Sequence, residues 1–244
     1  MIKRILLTLL SIAAIAYIVV AVMYVNRAES LVCKGIELAI KDSAQSSIIT
    51  SKELVNMLQK QKLNPVGKKM EEIQVSQIEE FIASHPLMRS VECYKTPSNK
   101  ILVEIQQRIP VIRVIASNGE NYFVGNEAEI IPFNSRCVVD LPVATGVIDK
   151  TFAKNELYRF ALFLKKNEFW NSQIEQINIL SDKTIELVPR VGQHVVYLGT
   201  FANYQEKLER LKKFYTKALN QVGWNKYSRI NVEFSNQIIC TRRE

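Results

Sequence analysis

The sequence predicts an α+β protein in three parts: one N-terminal transmembrane helix, a small β-α-α-β-β domain, and a larger mixed-sheet domain with helices against one face. Three observations carry this reading. The run from Ile5 to Val25 holds 21 residues without a charge. Beyond it, two amphipathic helical segments are framed by runs alternating at period two, and after Pro110 the texture changes to short strands and tight turns.

Composition sets the outer limits. A chain of 244 residues, 48% apolar and 23% charged, is a folded protein with room for one large or two small domains. The net charge is +8, and because Lys3 and Arg4 precede the apolar run while no acid does, the part beyond residue 25 carries +6. That surplus is scattered and lacks the clustered Lys/Arg stripe with interleaved aromatics of a nucleic-acid groove. No phosphate-cradling GxxxxGK[ST], GxGxxG turn, GxSxG elbow or HExxH helix occurs, so the sequence assigns no catalytic, cofactor or metal site and no small-molecule substrate. Cys33, Cys93, Cys137 and Cys240 lie far apart without a CxxC pair, and spacing leaves open whether any of them form disulfides.

At about 1.5 Å per helical residue the Ile5–Val25 run spans about 32 Å, against about 30 Å of hydrocarbon in a bilayer. Twelve of its residues are Ile, Leu or Val. Lys3, Arg4 and the terminal amine place residues 1–4 in the cytoplasm, 5–25 in the membrane and the rest outside. A cleaved signal peptide is the competing reading, since Ala14-Ile15-Ala16 has the small-x-small form. Nine further apolar residues up to Val25 favour an uncleaved anchor.

In the first domain, assigned to residues 31–113, Leu31 to Ile40 is strand-like. Thr50 with Glu53 forms a capping box for a helix whose Leu54, Met57 and Leu58 share a face, and Ser76 with Glu79 forms a second box ahead of Ile78, Phe81 and Ile82. His85-Pro86 ends that helix. Arg89 to Lys95 and Lys100 to Gln107 alternate as strands about a turn at Thr96 to Asn99.

The second domain, residues 114–244, continues a strand that begins at Val111. Tyr122 to Val124 and Glu129 to Phe133 follow, then a helix from about Ala153 to Lys166 with Leu157, Phe160, Ala161 and Leu164 at helical spacing. Strands are expected at Ile174 to Leu180, Lys183 to Val188 and His194 to Leu198. A helix capped by Asn203 with Glu206 carries the stripe Tyr204, Leu208, Leu211, Tyr215 and Leu219 and closes at Gly223. Ser228 to Phe234, a turn at Ser235-Asn236 and a last strand Gln237 to Thr241 complete the chain. His194 has no acid or nucleophile near it in sequence, and Trp170 and Trp224 read as packing anchors.

One crossing helix, a β-α-α-β-β module and a terminal mixed sheet, in this order, resemble the FtsQ/DivIB family of bacterial cell-division proteins. The stretch from His85-Pro86-Leu87-Met88-Arg89 through Tyr94-Lys95, with Pro97 and then Ile101 through Arg108-Ile109-Pro110-Val111, is similar to that family's polypeptide-transport-associated (POTRA) domain. Two places depart from the family pattern: the element after Tyr122-Phe123-Val124 reads Gly125-Asn126-Glu127-Ala128, and the penultimate strand reads Asn231-Val232-Glu233-Phe234.

The resemblance implies a non-catalytic inner-membrane scaffold of the divisome. It would lie at the septum with its bulk in the periplasm, bind FtsB-like and FtsL-like bitopic proteins, and help to control septal peptidoglycan synthesis. The physical device is an open sheet edge near the C-terminus, whose unpaired backbone groups accept another extended chain. By position, Tyr227, Arg229, Phe234, Ser235, Asn236, Ile238 and Cys240 are the expected partner contacts, and Arg89 and Arg108 are contact candidates in the POTRA-like domain. The alternative is that Ile238, Ile239 and Cys240 are core residues of a terminal strand. Rival classes are a membrane-anchored envelope enzyme, a POTRA-type transport or assembly module, and a binder of anionic envelope polymers.

Overall fold

In a computed structural model the described residues are 10, 12–22, 31–41, 50–133 and 140–244. Residues 12–22 are helical and expose large apolar side chains, Tyr17 at 75% and Ile12 at 63%. No helix among the described residues is long and apolar enough to cross a membrane. The expected 5–25 span lies partly outside them, as do residues 1–4 and Cys137.

Two compact units follow, the first made of residues 1–41, 49–84 and 90–105, the second of 42–48, 85–89 and 106–244. In the smaller unit, β1 (Gly35–Ile40), β2 (Met88–Lys95) and β3 (Lys100–Gln107) form a sheet of order β1-β3-β2, with β1 parallel to β3. Its helices are α1 (Ser51–Lys60) and α2 (Val75–Ala83). Thr50 caps α1 with the expected box: its hydroxyl accepts from Glu53 N, and the Glu53 carboxylate accepts from Thr50 N at 3.1 Å. The second expected box is absent. α2 starts from Gln74 without a side-chain cap, and Glu79 instead accepts from Cys93 N at 2.9 Å. Leu54, Leu58, Ile78 and Ile82 from the helices and Val91, Cys93, Ile101, Val103 and Ile105 from the strands are all buried.

The larger unit holds a nine-stranded sheet among the described residues: β4 (Pro110–Ala116), β5 (Asn121–Gly125), β6 (Ile130–Pro132), β7 (Val143–Gly146), β8 (Ile174–Ile179), β9 (Ile185–Pro189), β10 (Val195–Gly199), β11 (Tyr227–Asn231) and β12 (Ile239–Arg242). Their order is β12-β11-β10-β9-β8-β7-β4-β5-β6. β4 lies wholly in this sheet, so a domain boundary after residue 113 falls inside a strand. The expected helix from 153 to 166 starts earlier: α3 runs over 150–166, capped by Asp149 and widened to a π turn at Ala153–Leu157. A short helix α4 (Glu168–Gln173) was not expected from the sequence and neither was β7. α5 runs over 204–222, and its Asn203 lies in the left-handed region at φ 53° without capping through its side chain, contrary to expectation.

Cross-strand neighbours form two rows with opposite fates. Tyr122, Val114, Ala144, Ile177, Leu187, Val196, Ile230 and Cys240 run across β5-β4-β7-β8-β9-β10-β11-β12, and all but the half-buried Cys240 are buried. They share one core with Leu157, Phe160 and Leu164 of α3, Trp170 of α4, and Leu208, Leu211, Tyr215 and Leu219 of α5. The adjacent row, Asn121, Ile115, Thr145, Asn178, Glu186, Tyr197, Asn231 and Ile239, is mostly polar and nowhere buried. This is the period-two signature of a sheet with helices against one face.

Candidate functional site

The C-terminal edge is built by β11, the turn 232–238 and β12. Among the described residues β12 has β11 as its one neighbour in the sheet, so its other side carries backbone groups without a strand partner there. Register decides which side chains it presents. Cys240 pairs with Ile230 in the buried row and packs against the core, while Ile239 pairs with Asn231 in the open row and is 47% exposed.

The expected contacts divide accordingly. Phe234 is 44% exposed, and Ser235 and Asn236 beside it in the turn are exposed. Ile238 is half-buried and, with Phe214, Arg210, Lys213, Ser235, Asn236 and Gln237, lines an open groove of about 320 Å³. Tyr227 begins β11 half-buried, its ring 6.2 Å from that of Phe214. Arg229 lies on the open face, donating to Glu186 at 2.7 Å with its guanidinium 4.6 Å from the Tyr197 ring centre, and so is already committed within the sheet. The edge therefore brings Phe234, Ser235, Asn236, Ile238 and Cys240 together and sets Arg229 to one side. Ile239 belongs with the exposed group, yet the sequence reading placed it only in a terminal-strand core; its alternation with Ile238 and Cys240 is the signal that separates them.

Several contacts fix the turn. Asn231 Oδ1 accepts from Glu233 N at 2.9 Å, and Arg210 Nη2 donates to the carbonyls of Val232 and Phe234, each at 2.8 Å. Val232 is fully buried. Burial raises the pKa of the Cys240 thiol, which disfavours the reactive thiolate.

Arg89 and Arg108 both pair inside the larger unit. Arg89 Nη2 donates to Glu127 Oε1, and Arg108 lies 3.8 Å from Glu129 while its Nε donates to Met88 O at 3.1 Å. Their carboxylate partners sit in the turn after β5, where Ala128 adopts φ 61° and Tyr158 donates to Asn126 O at 2.7 Å. A Cβ at Gly125 would lie 2.2 Å from the Glu129 carboxyl group, so the carboxylate packs directly over this glycine. His85, at the end of α2, accepts from Leu87 N at 3.3 Å, the turn role that its place before a proline predicts.

Among the described residues no group of three or more His, Cys, Asp or Glu side chains is placed to hold a metal ion. His194 is buried, with its Nε2 2.8 Å from the Tyr215 hydroxyl. Trp170 is fully buried, and Trp224 packs on Tyr215 with ring centres 4.9 Å apart, so both act as packing anchors.

A β-α-α-β-β unit followed by a mixed sheet whose terminal strand is an edge among the described residues defines a class of two-domain proteins. Comparison with known families makes this specific: the model described as "FtsQ/DivIB, C-terminal related" matches residues 109–241, and that of the POTRA-like domain matches residues 31–106. The chain belongs to the FtsQ/DivIB family and is a cell-division protein. No curated protein matches it.

Proposed function

We propose that this protein is a non-catalytic, membrane-anchored scaffold of the division machinery that captures small bitopic partners, FtsB-like and FtsL-like, by strand addition at β12. One observation carries the reading: among the described residues β12 has a strand neighbour on one side only, and beside it Phe234, Ser235, Asn236 and Ile239 are exposed. Backbone hydrogen bonds along β12 supply affinity without demanding a sequence, and the exposed side chains together with the groove at Ile238 select the partner. The charge-free run Ile5–Val25 anchors the chain in the inner membrane, with the N-terminus in the cytoplasm and both domains in the periplasm. Septal recruitment and control of peptidoglycan synthesis follow from holding the partners at the division site.

The test is capture of the FtsB-like protein of the same cell by the full chain and by Ser235→Arg. Ser235 is exposed, so the variant keeps the fold while placing a long cation over the end of the edge. Capture is expected to fall at least about tenfold, as for a residue central to an interface. Undiminished capture by a folded Ser235→Arg variant overturns strand addition at this edge.

A further inference from the structure

Few apolar contacts hold the edge strand in place. Ile238 and Cys240 pack only partly against the core, Ile239 is exposed, and residues 241–244 are all exposed. A four-residue strand with one neighbour opens easily, because local opening costs little where few buried groups resist it. The ladder to β11 and Arg243, which donates to Lys226 O and to Gln193, hold its far end, and its near end depends on the turn that leads into it.

Helix α5 supplies that order through two cations one turn apart. Lys207 is 7% exposed, and its Nζ donates to Leu198 O at 3.0 Å and Thr200 O at 2.9 Å, fastening the end of β10. Gly199 lies between those two carbonyls in the left-handed region at φ 73°, and a Cβ there would be 2.8 Å from the Glu233 carboxylate. Three residues on, Arg210 holds Val232 O and Phe234 O. Among the described residues no carboxylate forms an ion pair with Arg210. Its Nη2, with two N–H donors, bridges the two carbonyls, and hydrogen bonds from a charged donor are stronger than those from a neutral one.

We propose that Arg210 is a positioning residue for partner capture: by clamping the carbonyls on either side of Glu233 it keeps the turn 232–238 closed and holds β12 ready for an incoming strand. This rests on the strand-addition reading above. A strand that is ordered only a tenth of the time binds its partner about tenfold more weakly, and because Arg210 also lines the groove at Ile238, hydrogen exchange of the free protein is the readout that reports positioning alone.

The experiment measures amide hydrogen exchange and affinity for the FtsB-like protein on the full chain in detergent, for the native protein, Arg210→Met and Arg210→Lys. Arg210→Met keeps an unbranched apolar stem and removes both hydrogen bonds. Exchange in residues 232–242 is expected to rise roughly ten- to a hundredfold while β7, β8 and β9 keep their protection, and affinity is expected to fall in step. Arg210→Lys, which restores a cation of the kind Lys207 uses on two carbonyls, should recover part of both effects. Unchanged exchange in 232–242, or a rise spread over the whole sheet, overturns the positioning role. Faster local exchange with undiminished affinity shows instead that capture does not use β12, which sinks the strand-addition reading and this inference with it.

Discussion

A buried histidine leaves a mark on pH behaviour. His194 lies just before β10 against Tyr215 and Trp224, and burial is the main cause that lowers its pKa below the ordinary 6.5; the Trp224 backbone opposes this and Arg243 adds to it. The Tyr215 hydroxyl moves upward for the same reason, so the pair stays neutral in the folded protein. The linkage sign follows. Above about pH 6.5 both folded and unfolded chains hold the imidazole uncharged and this group contributes no slope. Below it the unfolded chain takes up a proton that the folded chain refuses, so stability declines as pH falls, until the lowered folded pKa is reached. His85, also lowered by burial, acts in the same direction. Urea unfolding at pH 7.5, 6.5 and 5.5 should show a declining midpoint for the native protein and a shallower decline for His194→Phe. That variant should also be less stable at pH 7.5 by about 1–3 kcal/mol, since it strands the Tyr215 hydroxyl without a partner. An identical slope in the two proteins would locate the proton uptake elsewhere.

At the scale of elements, what was legible depended on whether one side of the segment faced water. β2 and β3 were readable from alternation, α1 from its capping box, and the stripe of α5 from helical spacing, because each buries one face only. β7 was not readable: four residues between parallel neighbours β4 and β8, its pairing set wholly by tertiary context. The candidate site divides in the same way. A terminal strand beside a Ser-Asn turn was legible, whereas the exposure of Ile239 and the clamp by Arg210 depend on register and on a helix many residues away in sequence. The missed strand also holds a strict backbone requirement. Gly146 ends β7 at φ 102°, and a Cβ there would lie 2.0 Å from the Ile179 carbonyl oxygen, an obstacle that cannot rotate aside. Gly146→Ala is expected to cost at least about 2 kcal/mol, combining left-handed strain with forced separation of β7 from β8. A lower urea midpoint at unchanged m-value checks this; a neutral effect would mean that the loop 146–149 adjusts freely.

For the whole molecule the decisive balance is between the apolar run and the bilayer. Ile12, Ile15, Tyr17, Ile18, Val19, Val20 and Val22 are all exposed along one helical stretch, an apolar surface that water does not tolerate. The proposed anchoring covers it with lipid. On an insertion scale the 12 Ile, Leu and Val residues of the run together favour the membrane by about 4–7 kcal/mol, whereas one arginine near its centre costs about 2.5–3.5 kcal/mol. The arithmetic distinguishes one substitution from two. Ile15→Arg should weaken insertion yet leave most of the protein in the membrane fraction after an alkaline carbonate wash, and Ile15→Arg with Ile18→Arg should release it. The released chain is expected to keep the pH-dependent unfolding described above, because the His194–Tyr215 pair lies in the sheet domain and owes nothing to the anchor. On the proposed scaffold role it should also fail to restore division, since a chain set free in solution would no longer share a surface with the bitopic partners proposed for it. Retention of the double variant in the membrane would show that attachment comes from some surface other than the 5–25 run.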